Sequence, residues 1–97
     1  MTKTETILTQ LNELKPLMIT RYKAKEIGLF GSFARGEQHE DSDIDLLVDF
    51  EDGADLFDLV GLSDYLEEAL QQKVDVVPKR ALREELREAV LREVVTV

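Results

Sequence analysis

Apolar residues recur at Ile7, Leu11, Leu14 and Met18, the spacing of one helical face, and predict a helix over residues 4–22. Thr2 followed by Glu5 has the spacing of a capping box at its start. Pro16 lacks an amide hydrogen and disfavours helical geometry at Lys15, so a kink or a pair of short helices is expected there. Ile27-Gly28-Leu29-Phe30 is a short apolar run and predicts a first strand over 26–30. Gly31-Ser32 makes a turn, 33–36 can form a helical turn, and 37–42 is polar enough for a loop. Residues 43–50 predict a second strand, its Leu46-Leu47-Val48 run marking burial on at least one face.

Residues 51–54 read as a turn, with Asp55 as cap for a helix over 56–71. Leu56, Leu59, Val60, Leu62, Leu66 and Leu70 give that helix a broad apolar stripe. A short strand over 74–77 is stopped by Pro78. A helix over 81–92 follows, with Leu82, Leu86 and Val90 inward, and 94–97 adds a final short strand. Strands alternating with helices describe an α/β (α+β) layer, a small mixed sheet backed by helices. The chain of 97 residues suffices for one small domain, 1–97, without linker or repeat.

Composition narrows the chemistry. Net charge is −9, from 21 acidic against 12 basic residues, and no basic stripe or aromatic platform is present to grip a nucleic acid directly. With no cysteine, disulfides and thiolate metal sites are excluded. No apolar run reaches the length of a membrane span and no signal-peptide core opens the chain, so a cytoplasmic protein is expected.

The chemistry concentrates between Gly31 and Asp45. On a strand, Asp43 and Asp45 point to one face while Ile44 and Leu46 point to the other. Two like charges side by side are unfavourable unless a cation lies between them. Asp75 places a third acid on an apolar strand, where aspartate is a poor strand former and costly to bury. Hard oxygen ligands without a histidine or cysteine cluster point to Mg²⁺ or Mn²⁺. A divalent ion beside a helix start suits a nucleoside triphosphate. Asp41, Asp43 and Asp45 also match the first positions of a calcium loop, but Leu46 stands where that loop needs glycine and Asp52 where it needs glutamate. A P-loop fails for lack of Gly-Lys-Ser or Gly-Lys-Thr.

Gly31-Ser32, ten intervening residues and Asp43-Ile44-Asp45 resemble the signature of the DNA polymerase beta-like nucleotidyltransferase superfamily. The fuller strings, Phe30-Gly31-Ser32-Phe33-Ala34-Arg35-Gly36 and Ser42 to Val48, resemble its minimal branch, the minimal nucleotidyltransferase (MNT) antitoxins paired with HEPN-domain toxins. The likeness spans nearly the whole chain, through Val74-Asp75-Val76-Val77 to Arg92-Glu93. It implies a polymerase-beta-like fold, two Mg²⁺ ions held by Asp43 and Asp45, and Asp75 as third carboxylate and proton acceptor. Gly31 would admit the triphosphate, and Ser32 would add a hydroxyl and an amide donor.

Arg35 is open to two readings, phosphate pairing or a structural ion pair. His39 is expected as a solvated loop side chain, and Lys79, Arg80 and Arg83 either reach substrate or form a solvated face. The implied reaction is transfer of AMP from ATP to a tyrosine of a partner HEPN toxin, which silences it. The alternatives are a non-catalytic antitoxin that binds stoichiometrically, and a nucleotidyltransferase acting on a small molecule, for which the chain is short.

Overall fold

The computed structural model describes residues 1–97 as four strands and four helices with one 3₁₀ turn. Helix α1 (Lys3–Tyr22) leads into β1 (Ala24–Phe30), the one-turn helix α2 (Ser32–Arg35) and β2 (Ile44–Phe50). Helix α3 (Leu56–Leu70), β3 (Val74–Pro78), the 3₁₀ turn Lys79–Ala81, α4 (Glu84–Glu93) and β4 (Val95–Thr96) complete the chain. The strands lie in the order β3-β2-β1-β4. Strand β1 is antiparallel to both β2 and β4, and β2 is parallel to β3, which makes the sheet mixed.

The capping residues act as their sequence positions indicate. Thr2 and Glu5 form a reciprocal capping box at α1, and Asp55 forms one with Asp58 at α3. Pro16, however, does not divide the first helix. It lies on the exposed side, while Leu11 before it and Met18 after it are fully buried in the same core. Burial on both sides holds the two halves in one helix, and the group left without its hydrogen bond is near solvent.

Period-2 alternation gives the sheet two unlike faces. Ile27, Leu29, Ile44, Leu46, Val48, Val74 and Val76 are buried in one core with Leu11 and Met18 of α1 and Leu62, Leu66 and Leu70 of α3. The opposite face carries Phe30, Asp45 and Asp75 in one row and Gly28, Leu47 and Val77 in the next. Leu91 of α4 and Val94, just after it, meet this second face and line a cleft with Gly28, Leu47, Asp49 and Lys79.

The C-terminal helix is shorter and more solvated than its periodicity indicates. Leu82 is buried but extended, and α4 starts only at Glu84. Leu86 is 48% exposed rather than inward, and no residue of α4 is fully buried. Leu82 reaches the core from a connector because the 3₁₀ turn after Pro78 ends the parallel strand abruptly. No helix is long and apolar enough to cross a membrane.

Candidate active site

Strand β1 ends in a turn that only glycine fits. Gly31 has φ of +76°, and a Cβ added there would collide with the Asp45 carboxylate. The residue therefore brings backbone into contact with an acid on the neighbouring strand. Phe33, almost wholly buried, anchors α2 beneath this turn, and Thr4 of α1 donates its hydroxyl to the Phe33 carbonyl. Gly36 closes the helical turn with φ of +72°.

Asp45 and Asp75 are directly paired in the parallel register of β2 and β3, so their side chains share one face. Asp43 lies just before β2 rather than within it, and the strand begins where the Ile44 amide bonds to the Lys73 carbonyl at 2.9 Å. Asp43 and Asp75 are exposed and Asp45 is half-buried. None of the three is paired with a lysine or arginine. Burial first, then the charges of Asp75 and Asp43, push the Asp45 carboxyl up to about 6, against a smaller opposing pull from Arg35.

A half-buried acid with two acidic neighbours and no cationic partner fits a divalent cation. The donors are hard oxygens, suited to Mg²⁺ or Mn²⁺. The three carboxylates do not converge into a closed cage of three protein ligands. Mg²⁺ does not require one, since it characteristically keeps waters and takes phosphate oxygens alongside one or two carboxylates.

Residues 11–97 match the nucleotidyltransferase domain family. The chain belongs to that family. It is 45% identical over 93 residues to the protein adenylyltransferase MntA of Thermococcus cleftensis, a match covering 96% of this chain and 94% of the relative. A solved structure provisionally assigned as a minimal nucleotidyltransferase superposes with a TM-score of 0.86 at 43% identity, covering 99% of this chain and 97% of the other. A toxin–antitoxin crystal structure with AMP-PNP aligns with a TM-score of 0.68 at 31% identity, covering 97% of this chain and 71% of that one. A further complex holds a tri-AMPylated Shewanella oneidensis HEPN toxin with its MNT antitoxin. Its matching chain gives a TM-score of 0.61 at 26% identity, covering 97% of this chain and 67% of that one. The chain thus shares the family's small mixed sheet with these proteins.

Within this nucleotidyltransferase, the other sequence candidates fall in different places. Ser32 opens α2 next to Gly31. Arg35 is engaged by two carboxylates, its Nε with Glu37 at 2.7 Å and its Nη1 with Glu93 at 3.0 Å. His39 is exposed in the loop before β2, where its backbone amide bonds to Ser42 Oγ. Lys79 lines the cleft beside Gly28 and Asp49, further along the open face than the aspartate row, and Arg80 borders a separate hollow with Phe50 and Leu56. Arg83 is exposed at the start of α4 and lies within 3.9 Å of Glu85. Glu93 had no assigned role from its sequence position, yet its carboxylate accepts the Gly31 amide at 3.0 Å. No local motif signals a contact between residues so distant along the chain.

Proposed function

We propose that this nucleotidyltransferase is a protein adenylyltransferase that transfers AMP from ATP to a tyrosine of a HEPN-domain toxin and so neutralises it as an antitoxin. The observation that carries the reading is Asp45, half-buried, in register with Asp75, without a direct ion pair and pressed against the turn at Gly31. Support for the acceptor comes from the relative named as a protein adenylyltransferase and from the complex with an AMPylated toxin. The structural likeness to a toxin–antitoxin complex with AMP-PNP supports an adenine nucleotide. Leu56 and Phe57, 70% and 87% exposed at the start of α3, favour a protein partner over a small-molecule acceptor.

Asp43, Asp45 and Asp75 are the residues that would hold two Mg²⁺ ions, with Mn²⁺ as a substitute. Those ions would supply neutralisation of charge around the reacting phosphate. Gly31 leaves room for the phosphates to approach the backbone, and Ser32 offers its hydroxyl and amide to their oxygens. Arg35 offers guanidinium donors beyond those given to Glu37 and Glu93. Asp75, exposed beside Asp45, accepts the proton of the attacking hydroxyl on a carboxylate oxygen. The acceptor oxygen bonds to the α-phosphorus of ATP, the bond to the bridging oxygen breaks, and pyrophosphate leaves.

The test mixes a small amount of this protein, ATP and Mg²⁺ with a molar excess of the partner toxin. The toxin should remain inactive after separation, gain mass in AMP units and take label from α-labelled but not γ-labelled ATP. Stoichiometric, ATP-independent inhibition that reverses on separation would overturn the reading in favour of binding alone.

A further inference from the structure

The ladder between β1 and β4 is short, pairing only Gly28 with Thr96 and Leu29 with Val95. Extending that antiparallel register sets Gly31 opposite Glu93, the last residue of α4. No strand pairing continues there. The Glu93 side chain takes over instead, Oε1 accepting the Gly31 amide at 3.0 Å and Oε2 accepting Arg35 Nη1 at 3.0 Å. One carboxylate thus joins the residue that makes the tight turn to the guanidinium that ends α2.

Glu93 is itself held on both sides. Val94 packs so closely on Gly28 that a Cβ at residue 28 would collide with its methyl group. The Val94 amide bonds to the Val90 carbonyl at 3.0 Å, and Val95 is already paired in the sheet. The side chain is only 27% exposed.

We propose that Glu93 is a positioning residue for nucleotidyl transfer, fixing the Gly31 backbone and the Arg35 guanidinium so that the turn keeps its close approach to Asp45. This rests on the nucleotidyltransferase site proposed above. The direction of the Gly31 contact favours a brace over a stand-in for substrate phosphate. It continues the β1–β4 ladder sideways, whereas Asp45 and Asp75 present their carboxylates from the open face. A brace and a stand-in predict opposite results when the carboxylate is removed.

The experiment compares wild type with Glu93→Ala, Glu93→Gln and Glu93→Asp, each checked for a native melt. Gly31 amide exchange is read by NMR without nucleotide, and KM and kcat are measured for ATP with Mg²⁺. Glu93→Ala should speed Gly31 exchange and lower kcat/KM by about tenfold or more, mainly through KM, the scale of losing a hydrogen bond to a charged group. Glu93→Gln keeps an acceptor for Gly31 and should recover much of both. Glu93→Asp keeps the charge but is too short to span both donors, and should fall below Glu93→Gln in Gly31 protection. If Glu93→Ala unfolds, the other two variants still decide the matter.

Unchanged or tighter ATP use on loss of the carboxylate would overturn the brace, as would Gly31 exchange that ignores all three substitutions. A wild type that fails to transfer nucleotide, while Gly31 exchange still responds to Glu93→Ala, would instead overturn the nucleotidyltransferase site, and the positioning role with it.

Discussion

The sheet face bearing Ile44, Leu46 and Val48 is sealed by α1 and α3, both started by capping boxes and both contributing fully buried side chains. The face bearing Asp45, Asp75 and Gly28 is met by α4, which has no side-chain cap and no buried residue of its own. Adjacent residues on the same strand therefore serve different ends, with Leu46 contributing to stability and Asp45 to the proposed site. The difference shows why a 97-residue chain can keep a cluster of acids on and beside two neighbouring strands, one central and one at the edge. One face supplies the cohesion that lets the other remain polar and accessible.

The sharpest break in the comparison comes from the acids. Asp43→Asn and Asp45→Asn should each lower nucleotidyl transfer by at least about a hundredfold, the scale of removing a group that stabilises developing charge. Melting temperatures should stay level or rise slightly, because each change relieves repulsion among unpaired carboxylates. Labelled-AMP transfer and thermal melts on the same samples provide the check. Retained transfer in either variant would remove that residue from the mechanism.

Gly31→Val should follow closely in its effect on activity. The new side chain must occupy the volume of the Asp45 carboxylate and hold a φ of +76° that branched residues avoid. Calorimetry should show weakened ATP binding, and binding as tight as wild type would show that the phosphates do not approach the backbone at this turn.

On the sealed face, Leu46→Ala should do the opposite. Removing a fully buried leucine costs about 2–5 kcal/mol of stability, through lost burial and the cavity left behind. Urea titration should show the loss, while the fraction still folded under mild conditions keeps transferring nucleotide at a near-normal rate. A large fall in activity per folded molecule would mean that the two faces are coupled more tightly than their separate coverage implies.

Much of this division was legible along the chain, because it rests on local spacing. The acids Asp43 and Asp45 at the start of an apolar strand, the Gly-Ser turn, the capping pair Thr2–Glu5 and the cap Asp55 each depend on near neighbours. The division into two helices, one of the two outcomes expected at Pro16, does not occur because tertiary burial of Leu11 and Met18 outweighs a single lost backbone bond. Leu82 misled because it fits a helical period while reaching the core from an extended connector. Glu93 could not be found at all, since its contacts with Gly31 and Arg35 exist only once β4 has docked against β1. What could not be found is a long-range contact, made through a side chain at the end of α4.

The smallest expected effect is a pH signature of Asp45 that the sealed face cannot produce. Its carboxyl ordinarily titrates near 3.8 and is pushed up to about 6 in the fold, chiefly by burial and then by Asp75 and Asp43. Between those values the native state binds more protons than the unfolded chain, so this group's contribution lowers stability as pH rises through the window. Acids remote from Asp45 cancel in a difference between wild type and Asp45→Asn, which leaves Asp45 and the neighbours whose charges act on it. Measured in chelator, the melting temperature of Asp45→Asn relative to wild type should climb from about pH 4 to about pH 6 and then level off. Asp45 is partly solvated, so the climb should amount to a few degrees at most, roughly the shift that ~1 kcal/mol produces in a domain of this size. Mg²⁺ should reverse the sign for wild type, stabilising it more at pH 7 than at pH 5, because the ion favours the ionised carboxylate. A difference that stays flat with pH would mean that Asp45 is better solvated than its burial beside Gly31 indicates, and the contrast between the two faces would lose its electrostatic half.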